Sequence, residues 1–168
     1  MIVLSIDPAI RNTGYAVLDG DYRRARALDY GTLSLGKTLS QSACLLEIHR
    51  CVGELIEKWQ PDELAIEAII YVQSHRTAIT MGSARAATVL AAAERGLRVM
   101  EYPPLSVKQA AVGRGHADKS QVAFMMRAIL GLDETPASDA ADALAIGYAH
   151  LAASNPLQAH LFTTRRYI

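Results

Sequence analysis

The chain has 168 residues, of which 51% are hydrophobic, and its 17 basic residues balance its 17 acidic ones. This length and composition support one compact domain and leave little room for a second, and the zero net charge gives no argument for nucleic-acid binding from overall charge alone. No apolar run is long enough to cross a bilayer, and no basic region precedes the short apolar run at the N-terminus, so we expect a cytoplasmic protein without a signal peptide or membrane contact.

The first part of the chain predicts an antiparallel meander. Residues 2–7 alternate Ile, Leu and Ile with Val, Ser and Asp and are bounded by Pro8, which is typical of a buried strand. The segment 11–14 has the composition of a turn, after which the chain returns as a strand over 15–18. A third strand over 27–35 completes the meander.

The middle of the chain changes from strand to helix periodicity. Apolar residues recur at helical spacing over 40–59, and the helix ends before Pro61. The segment 64–70 is short and almost continuously apolar, which suits a central strand covered on both faces, although it contains the charged Glu67. A strand, a helix and a strand in this order predict a right-handed crossover to a parallel strand. Cys44 and Cys51 are seven residues apart in the helix, about 10 Å, so we expect two free thiols.

The remaining segments predict further alternation of helix and strand. We expect an alanine-rich helix over 75–95, a strand over 97–102 and three helices over 106–112, 118–130 and about 136–153. The segment 156–168 has no clear period. The sequence therefore predicts an α/β protein with one domain over 1–168, made of a core over 1–155 and a C-terminal tail.

Two carboxylates in the last helix need an explanation. Asp139 and Asp142 are three residues apart, so they lie on one helix face among small and apolar neighbours. An acidic residue in a first helical turn is also an ordinary structural feature, and Thr135 with Pro136 offers a cap and a first helical position. The pair alone does not distinguish these two interpretations.

Two further carboxylates favour a metal site. Asp7 closes the first strand and Glu67 lies in the fourth, and these strands are predicted to be parallel neighbours. Their ends and one face of the last helix can therefore meet. Convergent carboxylates need a compensating cation, and hard oxygen ligands select Mg²⁺ or Mn²⁺ over zinc.

Several motifs together resemble the RuvC Holliday junction resolvases of the RNase-H-like superfamily. They are Ile-Asp-Pro at 6–8, Ala-Ile-Glu at 65–67, Lys-Ser-Gln-Val at 119–122 and Asp-Ala-Ala-Asp-Ala-Leu-Ala at 139–145. The resemblance covers nearly the whole chain. It implies an RNase-H-like fold with a mixed five-stranded sheet flanked by helices, and an endonuclease that resolves four-way junctions by symmetric paired nicks in recombination and repair.

The resemblance also implies a cofactor, partners and site residues. The cofactor is Mg²⁺, replaceable by Mn²⁺, with two ions per subunit, and the partners are junction DNA, a second copy of the chain and branch-migration motor proteins. It assigns metal binding and catalysis to Asp7, Glu67, Asp139 and Asp142, and cleavage support to Lys108 and Lys119. It assigns DNA contacts to Ile70, Tyr71, Arg76, Arg85, Arg114 and His116.

The chain departs from the pattern of this family beside the expected metal site. Ala9 follows Pro8 where the family has glycine, and Ala86 follows Arg85 where glycine is also common. Ile70 occupies the position of an aromatic residue that stacks on bases at the junction centre, and Tyr71 is displaced from it by one residue. These departures concern the choice of substrate rather than the chemistry.

Three alternatives remain open at this stage. The chain could be an RNase-H-like nuclease for other branched DNA or for RNA, or a junction-binding protein that does not cut. The four carboxylates argue against the second, because a chain without metal chemistry gains stability by losing them. The third alternative is nucleotide binding through an actin-like phosphate loop over 7–14. It is disfavoured because Ala9 replaces the glycine that such a loop needs.

Overall fold

A computed structural model describes residues 1–70, 74–113, 115 and 117–168. Tyr71, Arg114 and His116, which the resemblance assigns to DNA binding, lie outside the described residues. None of the described helices combines the length and the hydropathy that crossing a bilayer requires.

The centre of the fold is a mixed six-stranded sheet with the order β3-β2-β1-β4-β5-β6. Its strands are β1 Ile2–Asp7, β2 Asn12–Gly20, β3 Ala25–Ser34, β4 Glu63–Glu67, β5 Val99–Tyr102 and β6 Arg166–Tyr167. The first three form the predicted antiparallel meander, and β1, β4 and β5 are mutually parallel, as the crossover predicted.

The sheet has one strand more than predicted. β6 lies in the tail over 156–168, where the sequence shows no period, and it pairs antiparallel with the edge strand β5. A strand of two residues is too short to produce an alternating pattern, so only its pairing reveals it. β4 ends at Glu67 rather than at residue 70, which places this carboxylate at the last position of the strand.

Helices cover both faces of the sheet. They are α1 Gln41–Trp59, α2 His75–Ala93, α3 Pro104–Val112, α4 Lys119–Leu130 and α5 Ser138–Ala152. A short 3₁₀ helix, Ala159–Phe162, leads into β6. The prediction that α5 begins at Pro136 with Thr135 as its cap is wrong, because Ala137 is the N-cap and makes no side-chain hydrogen bond there.

The alternation of side chains in β1 divides the core into two layers. Leu4 and Ile6 pack with α1 and α2, whereas Val3 packs on the other face with α3, α4 and α5. Ser5 shares the second face, and its hydroxyl donates a hydrogen bond to the carbonyl of Ala143 in α5, at 2.7 Å. Helix α5 is therefore held directly against the central strand.

Close packing of α5 depends on a glycine. A Cβ at Gly147 would lie 2.6 Å from Ser5 Oγ and 2.9 Å from Leu18 Cδ1, and both of those side chains are fully buried. Gly82, in α2, differs in this respect because an added Cβ would meet nothing within 4 Å among the described residues.

The two glycines predict opposite effects of alanine. Gly147→Ala should lower the free energy of unfolding by about 1–3 kcal/mol, because overpacking outweighs the gain in helix propensity. Gly82→Ala should raise it by up to about 1 kcal/mol, since only the propensity changes. Urea denaturation of both variants measures the difference, and a Gly147→Ala protein as stable as the wild type would contradict this account of α5.

Candidate active site

Asp7 and Glu67 lie at the ends of adjacent parallel strands. The pairing of β1 with β4 places Ile6 beside Ile66, and the two acids are the next residue of each strand. Neighbouring strands are about 4.8 Å apart, and residues two apart share a face. Asp7 and Glu67 therefore follow Ser5 and Ala65 on the face that α5 covers.

Helix α5 adds Asp139 and Asp142 to the same end of the sheet. Gly14 of β2 pairs with Asp7, and a Cβ at Gly14 would overlap the backbone carbonyl of Asp139. Only glycine at this position lets the first turn of α5 approach the end of β1. Asp139 lies in that first turn, where the positive end of the helix dipole favours a carboxylate.

Burial and mutual repulsion act on the two strand carboxylates. Burial, together with the charges of Asp142 and Asp139, raises the pKa of Asp7 to about 6 despite the opposing charge of Lys119. Burial and the charges of Asp7 and Asp142 raise the pKa of Glu67 to about 7, while Lys108 and Lys119 oppose the increase. The site therefore carries more negative charge than its lysines compensate.

Lys119 is the closest basic partner of the acids. It is the first residue of α4, and its Nζ lies 2.9 Å from Asp142 Oδ2. This hydrogen bond raises the pKa of the Lys119 ammonium group. A capping box formed by Asp118 and Gln121 fixes the start of α4 and thereby the position of Lys119. Lys108, in α3, is half-buried and lies close enough to act on the charge of Glu67.

The donor set has the chemistry of a site for a hard divalent cation. All four acids offer carboxylate oxygens, and Asp7 and Glu67 resist ionisation because they are largely removed from water and lie near other carboxylates. Within the described residues, no three His, Cys, Asp or Glu side chains are already gathered around a common point as metal ligands. The four acids fit such an ion by composition, charge and placement at one end of the sheet.

The predicted DNA contacts that the structure describes have different surroundings. Ile70 is 68% exposed just beyond Glu67, and Arg76 is exposed in the first turn of α2. Arg85 is instead mostly buried and forms an ion pair with Glu101. A guanidinium group paired in this way is less available to a phosphate than an exposed one.

Sequence reasoning missed two features of this region. The prediction of a turn over 11–14 is wrong for residues 12–14, because β2 begins at Asn12 and pairs there with β3. Nothing in the sequence indicates that α5 contacts Gly14. Glu101 is a charged residue inside a predicted strand, which is the signal that drew attention to Glu67. The same signal predicts that Glu101 needs a charged partner, and the structure supplies Arg85 and Arg166.

Comparison with known proteins decides the family. The family model for crossover junction endodeoxyribonuclease RuvC matches residues 3–150. The chain belongs to the RuvC family. The RuvC protein of Akkermansia muciniphila is 68% identical over 168 residues, which are 100% of both chains. That of Magnetococcus marinus is 42% identical over 149 residues, 89% of this chain and 83% of the relative.

Solved structures agree with this assignment. The structure of Thermus thermophilus RuvC in complex with a Holliday junction substrate has a TM-score of 0.84 and 37% identity, covering 89% of this chain and 92% of the other. The yeast mitochondrial resolvase Ydc2 shares the fold. Its structure has a TM-score of 0.63 and 14% identity, covering 95% of this chain and 81% of the other. The RNase-H-like fold and the RuvC resemblance are both confirmed.

The raised pKa values predict how stability depends on pH without divalent cations. Each of these acids has a higher pKa in the folded protein, about 6 for Asp7 and about 7 for Glu67, than in the unfolded chain. At a pH between the two pKa values of an acid, the folded state therefore binds more protons than the unfolded state. The free energy of unfolding should therefore fall as the pH rises from about 4 to about 7. Asp7→Asn should raise it by roughly 1–2 kcal/mol at pH 8, after allowance for solvent screening.

Thermal denaturation in EDTA at pH 5 and pH 8 tests this prediction. Asp133→Asn, which changes an exposed acid between α4 and α5, is the control and should leave the melting temperature at pH 8 unchanged. A lower melting temperature for Asp7→Asn at pH 8 would contradict the proposed repulsion.

Proposed function

We propose that the protein is a Mg²⁺-dependent endonuclease that resolves four-way DNA junctions by symmetric paired nicks, in recombination and DNA repair. The observation that carries the proposal is the meeting of Asp7 and Glu67 with the acidic face of α5, in a chain of the RuvC family. A solved relative of the same fold is in complex with a Holliday junction substrate, which supports this choice of DNA.

The carboxylates would hold the cation. Asp7 and Glu67 supply oxygens from the sheet, and Asp139 and Asp142 supply them from α5; Mn²⁺ has the same ligand preference and should substitute. Bound there, two divalent cations per subunit would stabilise the charge that develops in an in-line displacement at phosphorus. The expected products are nicks with a 5′ phosphate and a 3′ hydroxyl, which a ligase can join.

The lysines would act on the phosphate. Lys119 contacts Asp142 and is largely exposed, so its ammonium group can reach a DNA phosphate next to the acids. Lys108 adds positive charge on the Glu67 side. Positive charge fixed beside the phosphorus stabilises the transition state more than the ground state, because the negative charge increases there.

Exposed residues beyond β4 would contact the DNA. Ile70 offers an apolar surface next to Glu67, and Arg76 offers a guanidinium group that suits phosphate. Arg85, Tyr71, Arg114 and His116 stay predictions of the resemblance, as do the motor-protein partners. The cytoplasmic location stays a prediction from the sequence.

Cleavage of a synthetic four-way junction in Mg²⁺ tests the function. The wild type should produce paired nicks in opposed strands, and Asp7→Asn should reduce the rate about a hundredfold or more, because metal-assisted charge stabilisation is worth several kcal/mol. Lys119→Gln should reduce the rate at least about tenfold. Lys58→Gln should leave it unchanged, since Lys58 forms a similar pair with Asp29, at 3.1 Å, away from the acids.

Parallel substrates separate the alternatives. Fork, flap, duplex and RNA substrates should be cut more slowly than the junction. Preference for one of them would indicate a related nuclease with another substrate. Tight junction binding by a wild type that makes no nicks would indicate a binding protein, and equal cleavage by wild type and Asp7→Asn would reject the assigned site.

We also propose that two copies of the chain associate through α2. Ile79, Ser83, Ala86 and Leu90 recur at spacings of four and three residues, which places them on one helix face. Ile79 and Leu90 are 66% and 58% exposed, while Ala84, Ala87 and Ala91 are buried on the opposite face. Small and apolar residues on an exposed helix face suit contact with another such helix.

Sedimentation of a leucine variant tests the proposed dimer. Leu90→Glu should raise the dimer dissociation constant at least about tenfold, because it places a charge in the apolar contact. Leu46→Glu is the matched control, since Leu46 is 65% exposed on α1. A dimer that tolerates Leu90→Glu as well as Leu46→Glu would exclude this face.

A further inference from the structure

A groove of about 430 Å³ opens beside the end of β4. One part of its lining is Ala68, Ile69 and Ile70, which directly follow Glu67. Another part is Thr164 and Arg166, from the C-terminal segment. The groove is therefore formed partly by the segment that follows Glu67 and partly by a C-terminal segment that no step of the proposed function uses.

The groove carries an excess of positive charge. Glu101 is buried and accepts hydrogen bonds from two guanidinium groups, those of Arg85 and Arg166. One carboxylate compensates only one of these two charges. Arg166 is the more available of the two, because its side chain is 70% exposed while that of Arg85 is 22% exposed.

The pairing of β6 with β5 fixes the position of Arg166. Arg166 lies opposite Glu101 in the antiparallel register, and the amide of Ile168 donates to the carbonyl of Val99 at 3.1 Å. Arg166 Nε donates a 2.9 Å hydrogen bond to Glu101 Oε1, and among the described residues its two terminal nitrogens have no acceptor, so they can bind a ligand. The match to the RuvC family model ends at residue 150, so this arginine lies outside it.

We propose that this groove binds a phosphate of the junction DNA, with Arg166 as its donor and Ile69 and Ile70 against the adjoining sugar or base. The proposal rests on the proposed function. An anion fits because the groove has uncompensated positive charge, and DNA fits because residues 68–70 of its lining directly follow Glu67 in the chain. The C-terminal strand then serves as part of the substrate surface as well as covering the edge of the sheet.

The salt dependence of junction binding tests this role without cleavage. Binding is measured in EDTA over a series of salt concentrations, for wild type, Arg166→Gln, Arg166→Lys and Arg23→Gln. Arg166→Gln should weaken binding about tenfold and reduce the slope of log affinity against log salt by about one, as expected for the loss of one phosphate contact. Arg166→Lys should recover most of the slope, because it keeps the charge.

Arg23→Gln is the matched control for the loss of one positive charge. Arg23 is exposed in the turn between β2 and β3, at the end of the sheet opposite Asp7. If Arg166→Gln binds with the affinity and slope of Arg23→Gln, the groove proposal is rejected, while junction cleavage by the wild type leaves the proposed function intact. A wild type that neither binds nor cuts the junction rejects the proposed function itself.

Sedimentation and photo-crosslinking address two other results, a contact between copies of the chain and an Arg166→Gln variant that does not fold. If Arg166→Gln weakens self-association in sedimentation while the salt slope stays unchanged, the groove is a contact between copies of the chain and the DNA proposal is wrong. If Arg166→Gln does not fold, a photo-crosslinker at Thr164 in the otherwise native chain decides. A yield of crosslinks to junction DNA well above the yield from the same photo-crosslinker at Asp21 supports the proposal. Equal yields from the two positions overturn it.

Discussion

Repulsion among carboxylates at one end of the sheet is the constraint on which the rest of this structure depends. Asp7 and Glu67 are held side by side by strand pairing, and α5 brings two more acids toward them. Burial of Asp7 and Glu67 and the repulsion among the acids cost folding free energy, and together they raise the two pKa values to about 6 and about 7. Folding must therefore be stabilised elsewhere, and the proposed cation would recover part of the cost.

The packing of α5 on the sheet is what maintains this arrangement. Ser5 donates to the backbone of α5, and Gly14 and Gly147 remove the side chains that would separate the helix from β1 and β2. These contacts are apolar or neutral, so they persist whether or not the carboxylates are ionised. The position of the acids is thus set by packing, and their charge by their surroundings.

The half-buried Glu67 and the buried Glu101, in neighbouring strands, show how these surroundings differ. Glu101 faces α2 and is paired with Arg85 and Arg166, so its charge is compensated by the protein. Glu67 lies at the end of β4 on the other face, where Lys108 and Lys119 only partly oppose its neighbours. The first glutamate stabilises the edge of the sheet, and the second remains available for a cation. The C-terminal strand belongs to the first of these clusters.

The sequence by itself determined the order of the elements, the parallel crossover, the free cysteines and the acids at strand and helix positions, because periodicity and charge within short segments are local properties. Only the tertiary structure decided that β4 ends at Glu67, that α5 starts after Pro136, and that β6 adds a sixth strand. It also decided that Arg85 pairs with Glu101 rather than standing free. Each of these depends on contacts between residues far apart in the chain, which local patterns do not encode.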